Sequence, residues 1–380
     1  MRILMAILSL GLWAAMAVRA QLNPEISGLY EHQLTLSDRN NDTYWSAQNQ
    51  FRLTFRANPV AKVSAEATLA AISYHGLTEV SPADYVPERL RDQVSSSSVI
   101  LEDRVFLDRA MADIFIRQIR FQIGIQPLRW GAGYAWNPTD LFTTKSPVDP
   151  GYIEEGVSAV KATFPWRKDG HISAILVPEA TWGNSGKGIR WLDYLLGFDM
   201  SVCYLERTLF PIPIQSNSGK ERYLGWDLTG ELMGPGLWSE GTVLLDPDRD
   251  DPVKIVVGLD YTTFSGWYVK LEGYHNGDGA ESAAEYTVDD WLEAMYRPNI
   301  FLGKDYVLAG VEKTAGDLWR LSLYGIGNLS DRSLVVNPWV YYDIAMSSEV
   351  IVSAAIPVGA DLDEFHTGNA SGFIRLHVYF

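Results

Sequence analysis

Phe51-Arg52-Leu53-Thr54-Phe55-Arg56 alternates apolar and polar side chains without a break. Successive side chains of an extended strand point to opposite faces, so this run has one apolar and one wet face. The same period of two recurs in Lys62-Val63-Ser64-Ala65-Glu66-Ala67-Thr68-Leu69, in Arg120-Phe121-Gln122-Ile123-Gly124-Ile125-Gln126 and in Leu224-Gly225-Trp226-Asp227-Leu228-Thr229-Gly230-Glu231-Leu232. A soluble sandwich alternates in the same way, so the connections decide. Strands are expected near 24–36, 45–57, 61–73, 100–110, 115–128, 154–166, 170–178, 190–196, 200–206, 221–232, 237–245, 252–263, 266–274, 304–313, 317–327, 334–344, 348–357 and 371–380. Tight turns rich in Gly, Pro, Asn and Asp, such as Asn58-Pro59-Val60, Arg167-Lys168-Asp169 and Gly197-Phe198-Asp199, close every second connection. The intervening connections include long loops at 74–99, 130–153, 207–220, 275–303 and 358–370. This layout predicts an all-β chain: a single transmembrane antiparallel β-barrel of about 18 strands, or 16 if the weakest joints, at 190–206 and 237–245, fail. The turns then face the periplasm and the loops face outward.

The two ends of the chain agree with that reading. Residues 1–20, MRILMAILSLGLWAAMAVRA, have a basic start, an apolar stretch and small residues before Gln21. They read as a secretory signal peptide, with the barrel occupying 21–380. At the other end, Gly372-Phe373-Ile374-Arg375-Leu376-His377-Val378-Tyr379-Phe380 alternates and stops on an aromatic residue. It resembles the terminal signal of bacterial outer-membrane proteins, which implies recognition of Phe380 by the barrel-assembly machinery.

Composition narrows the alternatives. The 380 residues carry a formal net charge of −16 with 47% hydrophobic side chains. Mean hydropathy is −0.05, which excludes a bundle of transmembrane helices. The 13 Trp, 19 Tyr and 14 Phe exclude a disordered chain. The acidity argues against nucleic acid as a partner. The lone Cys203 excludes an internal disulfide and a Cys-based zinc site. Trp130, Trp136, Trp166, Trp191, Trp226, Trp238, Trp267, Trp319 and Trp339 lie mostly in or at the ends of the expected strands, as aromatic girdles would.

The face opposite the apolar one carries the charge, and in a barrel of this size it lines water. Its basic members are Arg52, Arg56, Lys62, Arg104, Arg120 and Lys161, on the second to sixth strands. Later strands add Asp227, Glu231, Asp260 and Glu272, together with Lys254, Lys270, Glu312, Arg320, Asp343 and Arg375. A basic early wall and a mixed later wall would orient solutes in a pore. Equally, these residues would do no more than solvate the lumen and pair across strands.

One local motif stands out: Gln122-Ile123-Gly124-Ile125-Gln126-Pro127-Leu128-Arg129-Trp130-Gly131-Ala132-Gly133-Tyr134-Ala135-Trp136-Asn137-Pro138-Thr139-Asp140-Leu141-Phe142. It resembles a pattern of bacterial outer-membrane porin-like barrels, including relatives of the alginate-export channel family. There a strand ending in a Trp-Gly pair runs into Asn-Pro-Thr-Asp. The resemblance implies a porin-like channel and names no solute. Arg129, Trp130, Gly131, Trp136, Asn137, Pro138 and Asp140 are expected to form a loop that constricts or braces the lumen.

Chemistry is not evident. The six histidines are scattered, and no nucleophile elbow or phosphate loop occurs. No cofactor, metal or catalytic residue is expected. His32 and His377, on the first and last strands, would be neighbours in a closed barrel. The 275–303 loop is acidic, with Thr287 placed to cap a short helix from Val288 to Arg297. Its carboxylates are expected to form a solvated rim, with divalent cations beside lipopolysaccharide as the alternative. The functional expectation is an outer-membrane channel for small polar or anionic solutes, by passive passage or export. Its partners would be lipid, lipopolysaccharide and the solutes, with the oligomeric state open. The alternatives are a closed surface scaffold or adhesin and, third, a barrel enzyme.

Overall fold

The computed structural model describes residues 24–39, 42–94, 98–143, 149, 153–209, 219–246, 250–297, 301–366 and 370–380. The expected signal peptide lies outside the described residues. Eighteen strands form one sheet. They are β1 (Glu25–Arg39), β2 (Asp42–Val60), β3 (Val63–Gly76), β4 (Arg104–Ile116), β5 (Ile119–Gln126), β6 (Val157–Arg167), β7 (Gly170–Val177), β8 (Gly186–Leu195) and β9 (Phe198–Leu209). The second half comprises β10 (Gly219–Glu231), β11 (Gly236–Leu244), β12 (Val253–Thr262), β13 (Trp267–Asn276), β14 (Asp305–Ala315), β15 (Trp319–Asn328), β16 (Ser333–Ala345), β17 (Ser348–Val358) and β18 (Ser371–Tyr379). Each strand pairs antiparallel with the next, and β18 pairs with β1, so the sheet has no edge. Both weak joints, β8–β9 and β11, are formed, which removes the 16-strand alternative. At β8–β9, Leu196 (φ 55°) and Gly197 (φ 92°) make the two-residue turn whose twist suits a hairpin.

Alternation fixes the two faces. Phe51, Phe55, Leu69, Val105, Val202, Leu224, Val257, Leu271, Leu323 and Ile374 are exposed on the outside. Arg52, Asp108, Ser201, Asp227, Glu240, Glu272 and Arg375 are buried on the inside. Such a belt suits hydrocarbon, where every backbone group must be paired within the protein. Three local expectations are corrected. β2 continues through a bulge between Ala57 and Val60, which accommodates Pro59, so its turn is Ala61–Lys62. Lys62 is therefore an exposed turn residue and does not line the lumen. Of the tryptophans, Trp166, Trp267 and Trp319 do lie on the outside at the turn end. Trp130, Trp136, Trp238 and Trp339 are instead buried inside the barrel, because they fall on the inward parity or on a loop folded inward.

At the loop end, connections 77–103 (L2), 127–156 (L3), 277–304 (L7) and 359–370 (L9) are long. Helix α1 (Val288–Tyr296) sits in L7, with Thr287 and Asp290 forming a capping box. Trp291 and Leu292 of α1 pack with Tyr286, Leu302 and, from L2, Val86. L2 and L7 thus share an apolar core.

The seam between β1 and β18 has its own fastening. Gly28 exchanges two backbone hydrogen bonds with Phe380, N–H to O at 2.7 and 3.1 Å. The Phe380 ring lies across Gly28 and stacks on Phe51 of β2, 5.8 Å between centroids. A Cβ on Gly28 would come within 2.3 Å of that ring. Phe380→Ala and Gly28→Val should each lower the rate at which the compact, heat-modifiable form appears during folding into lipid. The loss of the aromatic pair costs only about 1 kcal/mol at equilibrium. Unchanged assembly kinetics in both variants would exclude this fastening as a determinant of closure.

Candidate functional site

L3 begins where β5 ends, at Gln126, and turns into the barrel. Its five consecutive N–H groups from Ala132 to Trp136 cannot join a ladder, and buried donors must be paired. Two wall carboxylates pair them. Glu240 of β11 accepts from Ala132 N (2.7 Å), Gly133 N (2.9 Å), Asn137 Nδ2 (3.0 Å), Thr139 N (2.8 Å) and Thr139 Oγ1 (2.7 Å). Glu272 of β13 accepts from Tyr134 N (2.6 Å), Ala135 N (2.8 Å), Trp136 N (3.3 Å) and Trp238 Nε1 (2.5 Å). Both carboxylates are 0% exposed. The many donors aimed at these two carboxylates offset the cost of burying them. Gly131 (φ 105°) rests on the Glu240 carboxylate, where a Cβ would come within 2.4 Å of both oxygens.

Apolar contacts extend this pinning around the wall. Trp130 and Leu128 pack with Ala159 (β6), Ile175 (β7), Leu205 (β9) and Tyr223 (β10). Ala135 and Trp136 pack with Trp238, Val256, Tyr274, Tyr306 and Ile326, on β11 to β15. Trp136 stacks on Tyr274 at 5.2 Å. Tyr134 reaches the cluster of Tyr324, Trp339 and Ile351 on β15 to β17, and Lys270 Nζ sits 3.2 Å from the Tyr134 ring centroid. The loop closes on itself through Thr143, whose hydroxyl lies within hydrogen-bond reach of both the Asp140 carboxyl (2.6 Å) and the Leu128 carbonyl (3.1 Å). Arg129 pairs with Glu154 at 2.6 Å. Asp149, further along L3, pairs with Arg375 of β18. All the residues expected in the constricting loop therefore sit in one folded unit: Arg129, Trp130, Gly131, Trp136, Asn137, Pro138 and Asp140.

The expected wall residues separate into groups. Arg52 is buried with Asp108, which also holds Arg109 at 3.2 Å. Arg120 pairs with Asp113 at 2.7 Å and keeps 45% of its side chain exposed to the lumen. Lys161, two positions from the residue opposite Arg120, faces inward without an ion pair among the described residues. Arg190 holds Asp227 through two 2.8 Å contacts. Arg56 lies at the turn end with Glu66 (2.8 Å). Arg104 lies at the loop end with Glu155, so it belongs to the mouth and not to the narrow part. Glu231 is exposed at the last residue of β10, and Asp260 accepts from Tyr268 at 2.7 Å. Glu272 is corrected: it lies under L3 and does not contact lumen water. Glu240 was not anticipated, although it shares the parity of Trp238 and Thr242 and was legible as an inward carboxylate.

A cavity of about 560 Å³ lies between L3 and L7, reached by Asp140, Arg207, Glu221, Lys254, Asp278 and Arg297. Part of the acidic rim is paired: Lys254 with Asp278 (2.9 Å), Lys304 with Asp251 (3.4 Å) and Arg297 with Glu293 (3.0 Å). Among the described residues no group of three or more His, Cys, Asp or Glu is placed to hold a metal ion. His32 and His377 are on neighbouring strands but opposite faces, since His377 pairs in register with Glu31.

No family model matches the sequence, and no curated protein matches it. Its fold is that of solved barrels. The chain superposes on OccK11 (OpdR) of Pseudomonas aeruginosa with a TM-score of 0.57 at 10% identity, covering 94% of this chain and 96% of that one. For OccD3 (OpdP) of the same organism the values are 0.54, 9%, 95% and 92%. For OccAB1 of Acinetobacter baumannii they are 0.54, 10%, 96% and 98%. The chain is similar to these barrels in fold: it is a closed 18-stranded antiparallel β-barrel of the kind found in the outer membrane.

Proposed function

We propose that the chain is an outer-membrane channel that passes small polar solutes and favours anions. The observation that carries this reading is the one-sided placement of L3. Most of L3 packs against β6 to β17 and its Asp149 reaches Arg375 of β18, so the proposed water path runs along the remaining arc, from β1 to β6. That arc carries Arg109, Arg120 and Lys161 on its surface, with Arg52 buried against Asp108 behind them and Glu31 and Asp113 as the other carboxylates. Cations held at fixed positions in a narrow aqueous passage select anions. Lys161 and Arg120 are the members with capacity left for a passing solute, and small carboxylates fit their chemistry. The porin-like fold favours a channel over an enzyme. Export, and any kinship with alginate channels, rests on the Trp-Gly to Asn-Pro-Thr-Asp motif alone. Phe380 is proposed as the residue read by the assembly machinery.

Reversal potentials across a salt gradient test the selectivity. Wild-type protein in a planar bilayer should favour anions, and Arg120→Gln with Lys161→Gln should abolish most of that preference without changing heat-modifiability. Selectivity identical to wild type would remove these side chains from the conducting path. The second reading, a closed scaffold, is favoured by the apolar core that joins L2 and L7. Inserted protein with no conductance would support it.

A further inference from the structure

The outer surface at the loop end carries a basic cluster that the channel does not use. Lys187 (β8), Glu206 (β9) and Arg222 (β10) are register partners across three strands, and Lys220 is two residues from Arg222. Their parity is outward: Ile189, Val202 and Leu224 on the same faces are exposed to lipid, whereas Leu205 and Tyr223 pack inside against Trp130. Glu206 is only 8% exposed and receives Lys220 Nζ at 2.7 Å, Lys187 Nζ at 3.1 Å and Arg222 Nε at 3.3 Å. One carboxylate thus gathers three cations on a chain whose net charge is −16. Lys187 is further oriented by the Trp182 carbonyl (2.9 Å) and ring (4.6 Å to centroid). Arg222 keeps 55% of its side chain exposed, and its terminal guanidinium donors have no hydrogen bond among the described residues.

We propose that Lys187, Lys220 and Arg222 bind a phosphate of the glycolipid that forms the outer leaflet, with its acyl chains on Ile189, Tyr204 and Leu224 below. Charge complementarity commits the surface to that occupant. The cluster lies at the upper border of the apolar belt, at headgroup level, where phosphates of a lipid anchored in the bilayer are concentrated. A solvated ion pair would need one cation, whereas here three converge with a surplus of two positive charges. Planar guanidinium and two flexible ammonium groups match a phosphate's several oxygens. Glu206 sets their spacing and keeps them pointing outward.

Native mass spectrometry of the full-length protein tests this, with bisphosphorylated lipid A, its dephosphorylated form and inorganic phosphate as probes. Lysines and arginines near a charged lipid surface each add a comparable increment of attraction, so Lys220→Gln with Arg222→Gln should weaken lipid A binding by about tenfold or more. Dephosphorylated lipid A should bind wild-type protein as weakly, and inorganic phosphate should not displace lipid A. The exchange Lys220→Arg with Arg222→Lys keeps the charge and should bind like wild type, which separates loss of the site from loss of folding. Equal affinity of wild type and the double Gln variant, equal affinity for both lipids, or displacement by inorganic phosphate would each overturn the proposal.

Discussion

Replacing Glu240 and Glu272 together by alanine should free L3 from the wall and raise single-channel conductance, with a large increase in current noise. The two carboxylates accept from five consecutive backbone N–H groups, and each removal leaves several donors unpaired. Hydrogen bonds to a charged acceptor contribute about 1.5–3 kcal/mol each, so either single variant should lower stability by about 3 kcal/mol or more. Glu240→Gln separates geometry from charge. Its amide would turn an N–H group toward donors that already need an acceptor, so this near-isostere should loosen the loop almost as much as alanine. The apolar contacts of Trp130 and Trp136 would remain, so the barrel should still assemble. A double alanine variant with wild-type conductance and noise would mean that packing alone positions L3.

The second large effect is on the cap at the loop end of the barrel and depends on pH. Glu364 in L9 accepts from Tyr306 Oη (2.5 Å), Asn328 Nδ2 (2.8 Å) and Leu302 N (3.3 Å). Burial, with Asp331 beside it, pushes its carboxyl up to about 7. Docking of L9 therefore favours the protonated form: its contribution is full below the ordinary carboxyl range and is lost as pH rises through about 7. Two residues on, His366 packs edge-on to Trp291 at 5.9 Å. Burial lowers its pKa, with Asp361 and Asp363 opposing the shift and Arg91 adding to it. Its contribution is present above the ordinary histidine range and is lost as pH falls through the lowered value. Glu364 therefore loosens L9 as pH rises through about 7, while His366 acts in the opposite sense and offsets part of that change up to the ordinary histidine range. A nitroxide on Leu362→Cys, in a Cys203→Ala background, should gain mobility between about pH 6 and about pH 8. Glu364→Gln should remove that gain and leave only the His366 titration, which loosens L9 as pH falls. Mobility that ignores pH in wild-type protein would exclude Glu364 and His366 as the controlling groups.

The local order of this chain was written in its period. Phe51 to Arg56, Arg120 to Gln126 and Leu224 to Leu232 alternate so regularly that strand identity, the faces and even the count of 18 followed from parity and loop length. Thr287, three residues before Asp290, likewise marked the start of α1, because capping is a contact between near neighbours. What parity cannot specify is the partner on the other side of the lumen. Glu272 alternates as a wall carboxylate should, yet its neighbours are the N–H groups of a loop more than a hundred residues away in sequence. Trp238 and Trp339 read as interface aromatics but lie buried inside the barrel, and Lys62 read as a wall residue until a bulge moved the turn by two positions. The sequence by itself determined a closed barrel, its inside and its outside, since these depend on the alternation of adjacent side chains. Only the tertiary structure decided which carboxylates anchor L3 and against which strands it lies, since burying five loop N–H groups requires acceptors that no local pattern supplies.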